Sequence, residues 1–554
     1  MEKGILRKII GCTLAFSMSM ATLSACAGKK DKNAQKPTTN TQQPNNGGSV
    51  TPNPNPNPNP TTDKYKITVA CQTDMGEEEV LQVLAAHYEE ENPDMDVEIK
   101  TFSGAGFEQY MLGIAAQPEN SPNIIWTTST NHHWDEYFTD LRPYYEATEG
   151  ADYSVYYETM LDAASPNGYF KPTKNYKGEF RKDDLDVNSD GFEGYKNHSE
   201  YGLYYAPRDY NKPAILCNTY LIKELDESYE KLYKEVNSVT EMPYDYLSAT
   251  ARLQQIQNGE GWDSLDDLSA FARMLGERIL YIAENSTSRE DRSWGDKAVI
   301  DLFLEWEPVY TTILNELNVD LIGEDGKLTI ENYESTFEAL HEKMFPIDNE
   351  DLNIYETEDG EFLRGNLMMT VGSRPVVLGY TYTLEQMYGE KSVAAIPFPA
   401  ANIAASGSGY AISNIWDGQG MTVNGVYRSY TGLSWEFIKF MISEEGQEIA
   451  GSTGLNVPVL KQLCSAETNG GKEPAWRTVD RLGNINHDAW VAGDELRQDT
   501  FNVFIASRRN NFRFRVREFF MGFQQSDYAE GSLQALIDTT VQQYNLHKPE
   551  SYLR

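Results

Sequence analysis

The sequence predicts an α/β protein whose folded body is divided into two lobes. Two observations lead there. Residues 66–126 run strand, helix, strand, helix, strand in short units, the order that builds a mostly parallel sheet with helices on its faces. Residues 65–554 also exceed the usual size of one domain, and 34 tyrosines, 22 phenylalanines and 9 tryptophans supply apolar surface for more than one core.

Taken in order, Lys66-Ile67-Thr68-Val69-Ala70-Cys71 alternates and is rich in β-formers, which predicts a strand. Val80, Leu81, Val83, Leu84 and Tyr88 recur at helical spacing across 77–90, with acidic residues at the start where the helix dipole favours them. Asn92-Pro93-Asp94 ends that helix. Residues 96–100 read as a second strand, 107–116 as a second helix and 122–126 as a third strand. In such sheets ligands bind beyond the carboxyl ends of strands. Those ends are residues 72–76 and 127–134. Further on, 214–217 and 368–371 read as short apolar strands, and 264–280, 434–441 and 532–544 as helices.

The N-terminal segments carry a different message. Lys3, Arg7 and Lys8 precede an apolar run from Ile9 to Leu23, too short and too rich in small residues for a good membrane span. It ends in Leu23-Ser24-Ala25-Cys26, which resembles a bacterial lipobox. Residues 1–25 are therefore expected to be a lipoprotein signal peptide. Cys26 is expected to carry the lipid that holds the protein at the outer face of the cell membrane. Residues 26–63 hold almost nothing apolar and include a Thr-Pro step followed by four Asn-Pro steps between Thr51 and Pro60. They are expected to be an extended, unfolded tether.

Composition narrows the function. Removing residues 1–25, with three basic groups against one acidic, takes the formal charge from −37 to −39. That argues against nucleic acid or an anionic membrane surface as the ligand. Cys71, Cys217 and Cys464 are odd in number and widely spaced, so neither a disulfide framework nor a zinc site is expected, and Cys71 and Cys217 read as buried free thiols. No G-x-x-x-x-G-K-[ST], G-x-S-x-G or H-E-x-x-H occurs.

A series of segments then resembles the extracellular solute-binding proteins of carbohydrate importers, the family of maltose-binding protein. The segments are the opening strand and helix, Asn92-Pro-Asp-Met-Asp-Val-Glu98, Ser121-Pro-Asn-Ile-Ile125, Pro213-Ala-Ile-Leu-Cys-Asn218, Gly261-Trp-Asp-Ser-Leu265, Phe362–Gly372, Ser434-Trp-Glu-Phe-Ile-Lys-Phe440 and Gly454-Leu-Asn-Val-Pro458. The resemblance implies a periplasmic-binding-protein-like fold of two α/β lobes, each a mixed, mostly parallel sheet flanked by helices, closing on a ligand in the cleft. It places 64–207 with 409–450 in the first lobe and 208–408 with 451–554 in the second. It implies capture of a sugar or oligosaccharide by a monomer that delivers it to ABC permease subunits, with no covalent catalysis and no required cofactor. The sequence departs from the pattern in an insertion at 170–199, in Arg374-Pro375 where the family has an aromatic, and in a long 461–500 segment.

Sugar sites need flat apolar faces and planar polar groups. After the third strand come Asn131, His132 and Trp134; Trp134 either stacks on a sugar or packs the following helix. Adjacent histidines on a strand point apart, so hydrogen bonding or exposure is expected of them rather than metal binding. Asp74 either holds hydroxyls or caps the helix that follows. Trp294 lies where the resemblance puts second-lobe aromatics, with loop packing as the other reading. Arg374 either forks hydroxyls or an acidic sugar, or makes a surface salt bridge. Tyr410, in Gly407-Ser-Gly-Tyr410, either faces the cleft or belongs to a stretch whose glycines serve close backbone approach. Trp262, Trp306 and Trp435 lie in helical patterns and are expected in the core. Asp186, Asn188, Asp190 and Phe192 match the first half of an EF-hand calcium loop. Asn197 stands where the bidentate glutamate belongs, so structural calcium and a plain hydrophilic turn both stay open. A lipid-anchored glycan hydrolase or surface adhesin is the alternative function, since paired catalytic carboxylates can come from distant strands.

Overall fold

The structure is a computed structural model. It describes residues 64–490 except 74–75, 118–119, 129–134, 136, 166–169, 174–175, 177–200, 289–292, 303–305, 317–359, 402 and 483–484. The signal and tether, Cys26, the 186–192 loop, the 532–544 helix and the candidates Asp74, Asn131, His132 and Trp134 lie outside the described residues.

The first sheet begins with the predicted units. Strand β1 (Tyr65–Gln72), helix α1 (Glu77–Glu91), strand β2 (Met95–Phe102), helix α2 (Gly104–Ala116) and strand β3 (Ile124–Thr128) follow one another. β1 pairs in parallel with β2 along its whole length and with β3 at Val69 and Ala70. Alternation in β1 reflects its packing: Tyr65, Ile67 and Val69 are buried while Lys66 is exposed beside Glu98. Each fully buried aliphatic side chain of this kind contributes about 1.5–3 kcal/mol. Short helices α3 (Arg142–Glu146) and α4 (Glu158–Ala163) lead to strand β4 (Ala206–Asn211).

The chain then crosses to a second sheet. Strand β5 (Ala214–Asn218) enters helix α5 (Thr219–Asn237), whose N-cap Asn218 accepts the Leu221 N–H at 3.0 Å. Helices α6 (Ala249–Gln257) and α7 (Leu265–Asn285), strand β6 (Ala298–Asp301), helix α8 (Glu307–Glu316), strand β7 (Leu367–Gly372), helix α9 (Arg374–Tyr388) and strand β8 (Val393–Pro397) complete it. Its order is β6-β7-β5-β8. The chain returns in strand β9 (Ser406–Ile412), which inserts between β3 and β4 to give β2-β1-β3-β9-β4. A β10–β11 hairpin (Gly420–Val423, Val426–Ser429) and helices α10 (Tyr430–Met441) and α11 (Glu444–Ser452) cover the first sheet.

Parallel pairing is confined to β2-β1-β3 and β6-β7. The remaining pairs, β3–β9, β4–β9, β5–β7 and β5–β8, are antiparallel. The sheets are thus mixed, and the expected parallel majority holds only where local strand–helix–strand units build them. The crossing and returning strands reverse direction. The crossings fall between Asn211 and Ala214 and between Pro397 and Ser406.

Two cores follow. Ile215, Cys217 and Met369 point from the second sheet toward α5–α7, with Trp262 and Trp294 in the same core. The opposite face, with Leu216 and Ala395, joins the larger core that contains the first sheet, Trp435, Trp476 and Trp490. Cys71 and Cys217 are buried free thiols, and burial pushes the Cys71 thiol up to about 12. No helix of the described residues is long and apolar enough to cross a membrane.

Candidate functional site at the junction of the sheets

Segment 453–460 lies between the two sheets and touches the carboxyl ends of both. On the first-lobe side Leu455 rests on Gly76, the left-handed N-cap of α1 (φ 71°); a Cβ there would sit 2.7 Å from Leu455 Cδ1. Val457 O accepts the Tyr210 N–H at 2.9 Å, and Val459 N–H donates to Gln447 Oε1 at 3.0 Å. On the second-lobe side β7 ends at Gly372, and Arg374 opens α9. Its Nε donates to Gly454 O at 3.1 Å.

Beneath the first-lobe side runs a buried charge network. Glu77 starts α1, where the helix dipole favours its charge. It pairs with Arg208, whose Nη1 also lies 3.2 Å from Asp209 and whose Nε donates to Tyr410 Oη at 3.1 Å. The Tyr410 hydroxyl donates to Glu77 Oε1 at 2.6 Å. Asp209 Oδ1 accepts from Ser408 N–H and Oγ, and Ser408 Oγ accepts from Trp126 Nε1. One connected set therefore ties α1, β3, β4 and β9 together, and its members are almost wholly removed from water. Burial raises the Tyr410 phenol to about 12, against the pull of the nearby Arg208 charge. Gly407 and Gly409 let β9 approach β4: a Cβ would stand 2.4 Å from Asp209 O and 2.2 Å from Ala206 O.

On the second-lobe side Arg374 is fully buried. Its Nη2 donates to Trp476 O at 2.8 Å, and its guanidinium carbon lies 5.6 Å from the Trp476 ring centroid and 5.3 Å from that of Trp490. Such stacking suits a weakly hydrated, planar cation. Its Nη1 has no partner among the described residues. Burial, helped by the nearby Arg477 charge, lowers its pKa to about 9. Arg477 lies over the other side of this group, 5.3 Å from the Trp476 centroid, and pairs with Glu473 and Asp488. His487 packs edge-on against Trp476, and burial followed by the Arg374 and Arg477 charges lowers its pKa to about 4.

The three predicted ligand residues within the described part stand in three places. Tyr410 is in the buried network of the first sheet. Trp294 is in the α7 core of the second lobe. Arg374 is at the junction, buried against two tryptophans rather than in a surface salt bridge. Trp476, Arg477, His487 and Trp490 did not figure among the predicted site residues. The unusual length of 461–500 was the one sequence signal in their neighbourhood. Among the described residues no group of three or more His, Cys, Asp or Glu side chains could hold a metal ion.

No protein-family model matches the chain, and no curated protein matches it. Solved structures do. The GacH receptor of Streptomyces glaucescens, known unliganded and with acarbose, superposes with a TM-score of 0.52 at 12% identity, covering 88% of this chain and 100% of that one. The sugar-binding protein MalE of Xanthomonas citri gives 0.50 at 13% identity, with 87% and 98% covered. The chain has the two-lobed α/β fold of these binding proteins.

Proposed function

We propose that this chain is the binding component of an ATP-driven importer, held outside the cell membrane by a lipid on Cys26, and that it captures a sugar or oligosaccharide without chemical change. The observation that carries the reading is the meeting of strand carboxyl ends from two sheets on either side of segment 453–460, with aromatic and planar polar side chains at the junction. That is where ligands sit in open α/β sheets, and those are the groups that recognise sugars. Closure of one lobe on the other would retain the ligand until a membrane permease accepts it. Trp134 remains a proposed stacking residue, and calcium at Asp186–Phe192 a proposed structural ion.

Titration calorimetry and thermal shift against a panel of neutral and acidic glycans test the reading. Stoichiometric binding with a raised melting temperature and intact ligand is expected. Accumulating hydrolysis products would overturn it in favour of the hydrolase alternative. Labelling of the intact cell surface and loss of membrane attachment in Cys26→Ala would test the anchor.

A further inference from the structure

Among the described residues, the junction holds hydrogen-bond donors in excess of acceptors. Arg374 is fully buried, has used two of its three nitrogens on backbone carbonyls, and presents Nη1 to no partner. Trp490, packed on the same guanidinium and equally buried, has an unpartnered indole N–H. Arg477 engages Glu473 through Nε and Asp488 through Nη2, yet its Nη1 is buried and unpartnered. His487 Nδ1 also has no partner among the described residues; in the neutral imidazole it donates or accepts according to tautomer, so it adds no fixed donor.

A buried guanidinium without a carboxylate is costly, because desolvation is not offset by a counter-charge. Asp488 and Glu473 are taken up by Arg477, and Arg374 makes no ion pair among the described residues. The same residue opens α9, where the Ser373 side chain makes no capping bond, so the positive end of the helix dipole adds to the Arg374 charge. Such an arrangement is incomplete for a neutral ligand and complete for an anion. Charge-assisted bonds to a planar fork are the strongest such pairing. The chain as a whole, at a formal charge of −37, repels anions, so local donors of this kind are what an anionic ligand would require.

On the strength of the saccharide-binding reading above, we propose that the captured ligand is an anionic saccharide, carboxylated or sulfated, whose acidic group is held by Arg374 with the indole N–H of Trp490 beside it. Arg374 stands where the resemblance predicted an aromatic. The site has exchanged a stacking face for a charge.

The test uses the full chain. Calorimetry is run with oligouronides, their carboxyl-reduced neutral counterparts, and sulfated and desulfated pairs of the same disaccharides. At least one acidic member is expected to bind roughly 10- to 100-fold more tightly than its neutral counterpart, the worth of one or two charge-assisted bonds. Carboxylate-only or sulfate-only preference identifies the group. In Arg374→Gln that preference should collapse to less than about threefold, and Trp490→Phe, which keeps a ring but removes the donor, should reduce it by part of that factor. Neutral members binding as tightly as acidic ones overturns the inference and leaves the saccharide reading intact. An acidic preference that survives in Arg374→Gln also overturns it. Absence of binding by every member overturns both. Should Arg374→Gln fail to fold, the wild-type comparison and Trp490→Phe decide.

Discussion

Replacing Arg208 by methionine isolates the buried network of the first lobe. The substitution keeps most of the side-chain volume and removes the charge. Three acceptors lose their donor at once: the Glu77 carboxylate, the Asp209 carboxylate 3.2 Å from Nη1, and the Tyr410 hydroxyl 3.1 Å from Nε. Bonds to charged groups are worth about 1.5–3 kcal/mol each and a neutral one about 1. Asp209 keeps the Ser408 bonds and Glu77 keeps Tyr410, which lowers the total. Breaking a buried pair from one side costs about 3–5 kcal/mol, and we expect a loss in that range. At about 2–4 °C per kcal/mol the first-lobe melting temperature should fall by about 6–20 °C. Thermal unfolding followed by circular dichroism and calorimetry measures it. Glu77→Gln added to Arg208→Met should recover part of the loss, since one orphaned charge is gone, and Glu77→Gln alone should be destabilising. A fall of less than about 2 °C in Arg208→Met, or additive effects in the double variant, would refute the view that this network is a single buried electrostatic unit.

Three further outcomes are expected. Asp226→Ala removes the acceptor of the first N–H groups of α6 (Ala249 and Thr250, both at 2.8 Å) and the buried partner of Arg278. The second-lobe transition should lose about 3–5 kcal/mol in denaturant unfolding. Gly454→Ala forces a Cβ at φ 79° to within 2.8 Å of Val479 Cγ1. It should cost about 1–3 kcal/mol and weaken ligand binding by moving the carbonyl that holds Arg374. His487 gives a pH signature. Its folded pKa of about 4 lies below the ordinary histidine value of 6.5, so between those values the unfolded chain binds the extra proton. Stability from this group is complete above 6.5 and is lost as pH falls toward 4. The groups facing it are Arg374, Arg477 and Asp488. The gap between the stability curves of wild type and His487→Gln should stay constant above pH 6.5 and change between pH 6.5 and about 4, as the wild type loses this contribution; a gap that stays constant through that window would refute the assignment.

Much of the fold was legible because it is local. Alternation in residues 66–71 located β1 to within one residue at each end, and the spacing of Val80, Leu81, Leu84 and Tyr88 located α1. Strand neighbours were less legible. β9 reaches its place beside β3 from nearly three hundred residues away, and no short-range pattern encodes an antiparallel insertion between β3 and β4. Of the predicted ligand residues within the described part, Arg374 is the one that stands at the junction of the sheets. Its surroundings come from 453–490. There the chain forms 3-10 turns at Lys461–Leu463, Ala475–Arg477, Asp480–Leu482 and His487–Trp490, without the periodicity that reveals a helix or strand. Trp294 and Tyr410 show the converse limit. An aromatic in a loop or beside glycines has the same sequence signature whether it is packed inside or faces a ligand.

The course of 453–490 bears on how far the lobes can part. Ala475 N–H is fastened to Glu448 of α11 at 2.7 Å, the backbone of Trp476 abuts Gly451, and the next turns press on α9 and β8. A pair of bodies joined only by two crossing strands swings freely about that axle. Here a third connection is fastened to elements of both bodies, and Arg374 rivets it through the Gly454 and Trp476 carbonyls. Widening the mouth must stretch or peel this strap, so the resting spread of lobe separations should be narrow, with a mechanical stop set by thirty-odd residues that belong to neither sheet.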